Sequence, residues 1–206
     1  MAAGRNIMQP LDLLTMNQRL FFTATFLLGF TATRSVAQVN DKGTFHASIG
    51  VAAGAHATEY EQSIVGVVRR DQDGAATVTY PIELGYGSGK RFSLGLCLEP
   101  GVYLDSSASG SNGLVSIGIQ PRFYIINADR FAWMASVHLG SSALRYDVKE
   151  PGNVSDARYR GANFGISTGV GFYFGEHFGL NILARYIGTR MPLREWTVNG
   201  TELDPT

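Results

Sequence analysis

From Pro81 to Pro100 the chain reads PIELGYGSGKRFSLGLCLEP, with apolar residues on every second position. Ile82, Leu84 and Tyr86 precede the glycines; Phe92, Leu94, Leu96 and Leu98 follow them. A period of two marks a strand with two unlike faces. The glycine-rich centre is not a phosphate loop, which needs G-x-x-x-x-G-K-[ST] running into a helix. Here Leu84 holds the first glycine position, Arg91 holds the last, and a strand pattern follows. The stretch is a hairpin, and Gly87-Ser88-Gly89 supplies its tight turn.

The same alternation runs through 44–54, 77–86, 91–104, 114–126, 131–140, 163–174 and 179–188, seven predicted strands in all. Each is close to the 9–11 residues that cross a bilayer when tilted. The chain carries 17 basic and 17 acidic residues, yet only Glu83, Glu99, Arg122 and Arg185 fall within the interiors of these strands. All four lie on the non-apolar phase, among glycine, serine, asparagine and glutamine. A water-soluble barrel turns its apolar phase inward and needs many charges on the other face. Four charges are too few for that. A membrane barrel inverts the faces, apolar to lipid and polar to the lumen.

Connection lengths alternate: 55–76 is long and 87–90 short, 105–113 long and 127–130 short, 141–162 long and 175–178 short. Outer-membrane barrels pair short periplasmic turns with longer external loops. Tyr86, Phe92, Phe123, Phe131, Trp133, Phe172, Phe174 and Phe178 flank the short turns and predict a periplasmic aromatic girdle. The expected fold is all-β: an antiparallel up-and-down transmembrane β-barrel of eight-stranded architecture, with seven strands evident and the last one missing.

The N-terminus reads as a targeting segment. Arg19 gives a positive start, Leu20 to Phe30 an apolar run, and Ser35-Val36-Ala37 the small residues of a cleavage site. Residues 16–37 are therefore expected to be a signal peptide cut between Ala37 and Gln38, residues 1–15 an upstream extension, and 38–206 the barrel. The single Cys97 excludes an internal disulfide and a cysteine-cluster metal site. Zero net charge gives no support for a nucleic-acid partner. Only 17% of residues are charged, below the roughly 25% of ordinary soluble domains.

On the hairpin spacing, on SIGIQPRFYI before a short turn, and on GISTGVGFYF and FGLNILARYIG near the end, the chain resembles the small outer-membrane β-barrels of Bacteroidetes type. These are the PorT-like group, related in architecture to OmpA and OmpX. The resemblance covers about 38–190. It implies eight antiparallel strands, a place in the outer membrane of a Gram-negative bacterium, delivery by the barrel-assembly machinery, and no enzymatic activity or cofactor. One departure is that MPLREWTVNGTELDPT follows the seventh strand without alternation. It reads as an external loop, and the chain as stopping before strand eight.

Eight strands leave an interior just wide enough for side chains. Buried charges pair, so Glu83 and Glu99 are expected to bridge Arg122 and Arg185 in a lumen charge network. The alternative is a narrow, selective polar channel. His46 and Ser48 share the inward phase and resemble, weakly, the His-x-Ser pair of a lipid A deacylase. Two lumen polar residues are the plainer reading. Asp71-Gln72-Asp73-Gly74 lacks the closing glutamate of a calcium loop and reads as a turn at a loop tip. Asn153-Val154-Ser155 and Asn199-Gly200-Thr201 match a glycosylation pattern that bacterial export makes incidental. Loops 55–76 and 141–162, with Arg69, Arg70, Arg145, Lys149, Arg158 and Arg160, are the expected contact surface for an extracellular ligand.

Overall fold

A computed structural model describes residues 17–21, 25–33, 40–64, 67–105, 112–150, 153–174 and 178–203. They form one antiparallel sheet: β1 (Asn17–Phe21), β2 (Thr25–Thr33), β3 (Phe45–Ile64), β4 (Val67–Thr79), β5 (Ile82–Gly89), β6 (Phe92–Asp105), β7 (Asn112–Asn127), β8 (Phe131–Glu150), β9 (Asn153–Tyr173), β10 (Phe178–Val198) and β11 (Thr201–Leu203). From β6 to β10 each strand pairs with the next. β4 and β5 are two parts of one stave. Their registers against β3 and β6 are continuous, and Pro81, with no N–H to give, interrupts the ladder between them.

The ring closes at β1 and β2. β2 pairs with β10 at Phe178–Arg185 and with β3 at His46–Ala53. β1 pairs with β10 at Thr189–Pro192 and with β3 at Ala57–Glu61. Together they make one interrupted stave, and the strand order returns to its start. This eighth position, expected to be empty, is filled by residues expected to be an export signal. The segment TFLLGFTAT also alternates, and its register sets Leu28 opposite Val51 and Phe30 opposite Ile49. A short apolar run reads equally as a strand or as another apolar segment. The expected cleavage site at Ala37 and Gln38, and residues 1–15, lie outside the described residues.

The two faces are inverted relative to a water-soluble protein. Phe45 is 72% exposed, Leu96 61% and Ile117 59%, whereas Glu83, Glu99, Ser116, Gln120, Arg122, His138, Asn163 and Arg185 are buried. The apolar phase points out and the polar phase in. One end of the ring carries the short turns; its outward aromatics include Tyr86, Phe92, Phe123, Trp133, Phe172, Phe174 and Phe178, with Phe131 half-buried against Phe172 at 5.6 Å. Tyr124 and Tyr173, which flank the same turns, point inward instead.

At the other end the strands are longer than expected. The segments 55–76 and 141–162, read as loops, are mostly the extended hairpins β3–β4 and β8–β9. Asp73 and Gly74 lie inside β4, not at a tip. The stretch read as a terminal loop is the end of β10 and the short β11. Asn199 (φ 50°) and Gly200 (φ 80°) make the turn between them, the left-handed pair that a two-residue hairpin requires.

Along these strands the side-chain phase holds but the chemistry of the faces changes over. On β8 the outward series runs from Leu139 to Ala143 and Arg145, and the inward series from His138 and Ser142 to Leu144. On β9 the outward series runs from Phe164 to Arg160 and Arg158, and the inward series from Asn163 to Tyr159 and Ala157. On β10 the outward positions reach Arg190 and Arg194 while Met191 and Trp196 are buried. Beyond the changeover the barrel follows the water-soluble rule, apolar in and charged out.

An arginine at the outward position of Ile117 tests this assignment. In lipid vesicles Ile117→Arg should lower unfolding stability by about 2–4 kcal/mol, the cost of a basic residue at mid-depth. Equilibrium unfolding in vesicles measures it, and an unchanged midpoint would mean that this face is wet.

Candidate functional site: the barrel interior and its outer rim

The inward phase gathers the charges of β5, β6, β7 and β10 at mid-barrel. Arg122 Nη2 donates to Glu83 Oε2 at 2.6 Å, and Ser48 Oγ donates to the same oxygen at 3.4 Å. Arg185 Nη2 donates to Glu99 Oε1, and Thr79 Oγ1 donates to that oxygen at 2.5 Å. The two ion pairs differ in what they span. Glu83 and Arg122 sit on staves separated only by β6. Glu99 on β6 and Arg185 on β10 face each other across the ring, four staves apart in either direction. Their side chains are 5% and 6% exposed. Opposite walls are therefore tied together through the middle.

Neutral polar groups fill the space around them. Gln120 donates to Ser136 at 2.9 Å, and Ser136 and Ser167 share a hydrogen bond of 2.6 Å. Asn163 Nδ2 reaches Ser116 at 2.7 Å and Ser142 at 2.6 Å. The inward glycines on these strands leave room for long side chains: a Cβ on Gly118 would collide with the imidazole of His138.

Both ends are stoppered. At the short-turn end Ala52, Tyr124, Ala132, Met134, Tyr173 and Leu183 form an apolar layer. Asn40, fully buried, lies across the mouth: its Nδ2 donates to the Gly89 carbonyl at 2.6 Å, its carbonyl accepts from Asn127 Nδ2 at 2.6 Å, and its Oδ1 lies 2.9 Å from His46 Nε2. At the long-hairpin end Tyr103, Leu144, Ala157, Tyr159, Met191 and Trp196 pack together. Thr58 and Tyr103 share a hydrogen bond of 2.9 Å there, and Trp196 Nε1 donates to Ser155 at 2.9 Å. Between the stoppers a cavity of about 20 Å³ touches His46, Ser48, Glu83, Arg122, Tyr124 and Tyr173. That is room for about one water molecule.

His46 and Ser48 are thus inside the barrel, engaged with Asn40 and Glu83, and away from the outer surface where a lipid-cleaving pair would act. Among the described residues no group of three or more His, Cys, Asp or Glu converges as a metal site. Cys97 is buried in the inward phase.

The outer rim is the second site, and it is built on the far ends of β8, β9 and β10. Arg145 lies directly opposite Arg158, and Asp147 opposite Asp156. Like charges facing each other are unfavourable, and ion pairs relieve them: diagonally from Arg145 to Asp156 at 2.5 Å, along the strands from Arg145 to Asp147 at 3.2 Å and from Arg158 to Asp156 at 3.6 Å, and directly across from Arg158 to Glu195 at 2.9 Å. Hydrogen bonding by Asp156, then its charge and that of Asp147, raises the pKa of Arg145. Of the basic residues expected at the contact surface, Arg145, Arg158 and Arg160 are exposed on this wall. Lys149, Arg69 and Arg70 lie in β8 and β4, and their side chains are outside the described residues.

No family model matches the chain, and no curated protein matches it in sequence. Among solved structures it is similar to the outer membrane protease OmpT from Escherichia coli. The likeness covers 87% of this chain and 96% of that one, at 11% identity and a TM-score of 0.24. A likeness of that size fixes neither an activity nor a residue role here.

Removing one end of the cross-wall pair tests its role. Arg185→Met leaves Glu99 as a buried carboxylate without its cation and should cost about 3–5 kcal/mol. Adding Glu99→Gln to the same chain should recover most of that loss. A double-mutant cycle in vesicle unfolding reads the coupling, and additive effects would mean that the pair contributes nothing beyond its two members.

Proposed function

We propose that the chain is an integral outer-membrane β-barrel with a structural or surface-interaction role, a sealed interior and no catalytic activity. The observation that carries the membrane reading is the changeover of face chemistry along unbroken strands. A surface that is apolar over one band and charged beyond it, with the interior reversed at the same point, matches a barrel passing from lipid into water. The girdle aromatics at the opposite end fit the other interface. The PorT-like resemblance accords with this reading and adds assembly by the barrel-insertion machinery of a Gram-negative cell.

Three features support a sealed interior. Opposite walls are joined by Glu99 and Arg185, both mouths are stoppered, and the cavity beside Glu83 and Arg122 is water-sized. A narrow channel is the second reading, favoured by the continuous polar lining at mid-depth. Interaction with an extracellular ligand would then fall to the β3–β4 and β8–β9 hairpins, which extend past the apolar band.

We also read residues 16–37 as the export signal, cut after Ala37. In that reading cleavage frees the edge of β10 that β1 and β2 hold, an edge that β11 also lines from the Asn199-Gly200 turn.

The outer-membrane fraction, run on a gel with and without boiling, tests the barrel. Folded protein should migrate differently until heated, and recovery from the soluble periplasm would overturn the membrane reading. In planar bilayers the purified protein should give no unitary conductance steps; steps would select the channel. Intact mass of the membrane form should correspond to a chain beginning at Gln38. A mass that retains 17–33 would instead give the eighth position permanently to the N-terminal segment.

A further inference from the structure

We propose that the outward face of β8–β10, just past the apolar band, binds the phosphorylated headgroup of a membrane lipid, with Arg160, Arg190 and Arg194 as its ligands. The inference rests on the outer-membrane reading above and adds to it a specific partner.

The position comes first. On β9 the outward residue after Phe164 and Ala162 is Arg160; on β10, after Tyr186 and Gly188, it is Arg190. These are the first charges beyond the lipid-facing residues on their strands. Arg190 is registered opposite Ala162, the next outward residue from Arg160, so the two arginines are diagonal neighbours on adjacent strands. Arg194 keeps the outward phase of Arg190, and the register shift between Leu193 and Glu195 then turns Trp196 inward.

The charge balance comes second. The rim acids Asp147, Asp156 and Glu195 lie farther from the apolar band and are taken up by Arg145 and Arg158. Among the described residues no acid pairs with Arg160, Arg190 or Arg194, and all three are exposed. On β9 and β10 the charges nearest the apolar band are therefore cations, with Glu195 just beyond Arg194 and Glu59 on β3 level with Arg190.

Among the described residues the β3–β4 wall carries no outward cation. On β3, past Val51, the outward positions are Ala53, Ala55, Ala57 and Glu59; on β4, past Val78, they are Ala76, Gly74 and Gln72. Basic residues that merely reach up from lipid to water would be needed all round the barrel. Three on one wall, fixed on a hydrogen-bonded sheet, form a site. The guanidinium fork matches phosphate oxygens in a two-point contact. Below the arginines, Phe164, Ile166 and Ala184 offer an apolar wall for acyl chains. A ligand with phosphate above and hydrocarbon below satisfies both, which selects a lipid over free phosphate.

The test uses the full chain folded in detergent micelles, with diphosphoryl lipid A, the same lipid after enzymatic dephosphorylation, and inorganic phosphate as probes. Native mass spectrometry with a titration should show retention of the diphosphoryl lipid only. R160Q and R190Q should each weaken it about tenfold, as the loss of a charged hydrogen-bonding partner implies, and the triple variant with R194Q should abolish it. Equal retention of the dephosphorylated lipid, equal binding of inorganic phosphate, or an unaffected triple variant would overturn the proposal. The gel shift on heating, run on every sample, separates the two levels. A chain without the shift overturns the barrel reading and this surface with it, whereas a heat-shifting barrel indifferent to phosphate overturns the surface alone.

Discussion

A sheet with an apolar exterior has to close. In hydrocarbon each unpaired backbone N–H or C=O costs several kcal/mol, so an open edge is untenable. The rest of this molecule answers that constraint. Seven staves come from the region beyond residue 44, and the eighth comes from β1 and β2, which hold the edges of β10 and β3. β11 lies on the same edge of β10 farther along, at Trp196–Val198. Strand polarity admits both segments. Any strand in that slot must run antiparallel to both neighbours, and both the N-terminal segment and the return from Asn199-Gly200 do so. The backbone specifies the slot and its direction, and the side chains decide which segment holds it.

Closure fixes the phase of every strand, and the surroundings then choose the residues. While a strand is in the apolar band, its outward positions are large and apolar and its inward ones small or polar. Past Ala143 on β8 and Ala162 on β9 the surroundings change and the backbone does not. The inward positions become Leu144 and Tyr159, able to seal the mouth, and the outward ones become arginine and aspartate. One continuous ladder thus carries two opposite patterns of burial.

That changeover explains what could and could not be read in advance. The strands at 91–104, 114–126 and 131–140 stood out because large apolar residues hold one phase throughout. The four lumen charges stood out because they were the only ones inside such strands. The hairpin extensions were missed because their apolar residues switch faces. Scanned for a single phase, 141–162 loses its period where Leu144, Ala157 and Tyr159 turn inward, and so it looks like a loop. The β3–β4 extension was missed for another reason: Ala53, Ala55 and Ala57 carry too little bulk to mark a phase. Asn199-Gly200 was a strong hairpin signal, but it had no visible strand on either side. The N-terminal run was ambiguous by nature, since a signal core and a short apolar strand draw on the same residues.

The choice of partners among the four lumen charges had no sequence signal at all. Either arginine could have met either glutamate, because pairing across a ring depends on stagger, which alternation does not encode. The outcome matters for what the interior can do. Glu83 and Arg122 sit near each other on one wall and could remain paired around an open lumen. Glu99 and Arg185 cannot, because they meet only by reaching across the lumen from opposite walls. With each acid matched by a base, the lumen also has no net charge to draw an ion of either sign inward. A barrel braced in this way has little left to offer a ligand inside. The exposed cations lie instead at the rim, on the outward phase of β9 and β10.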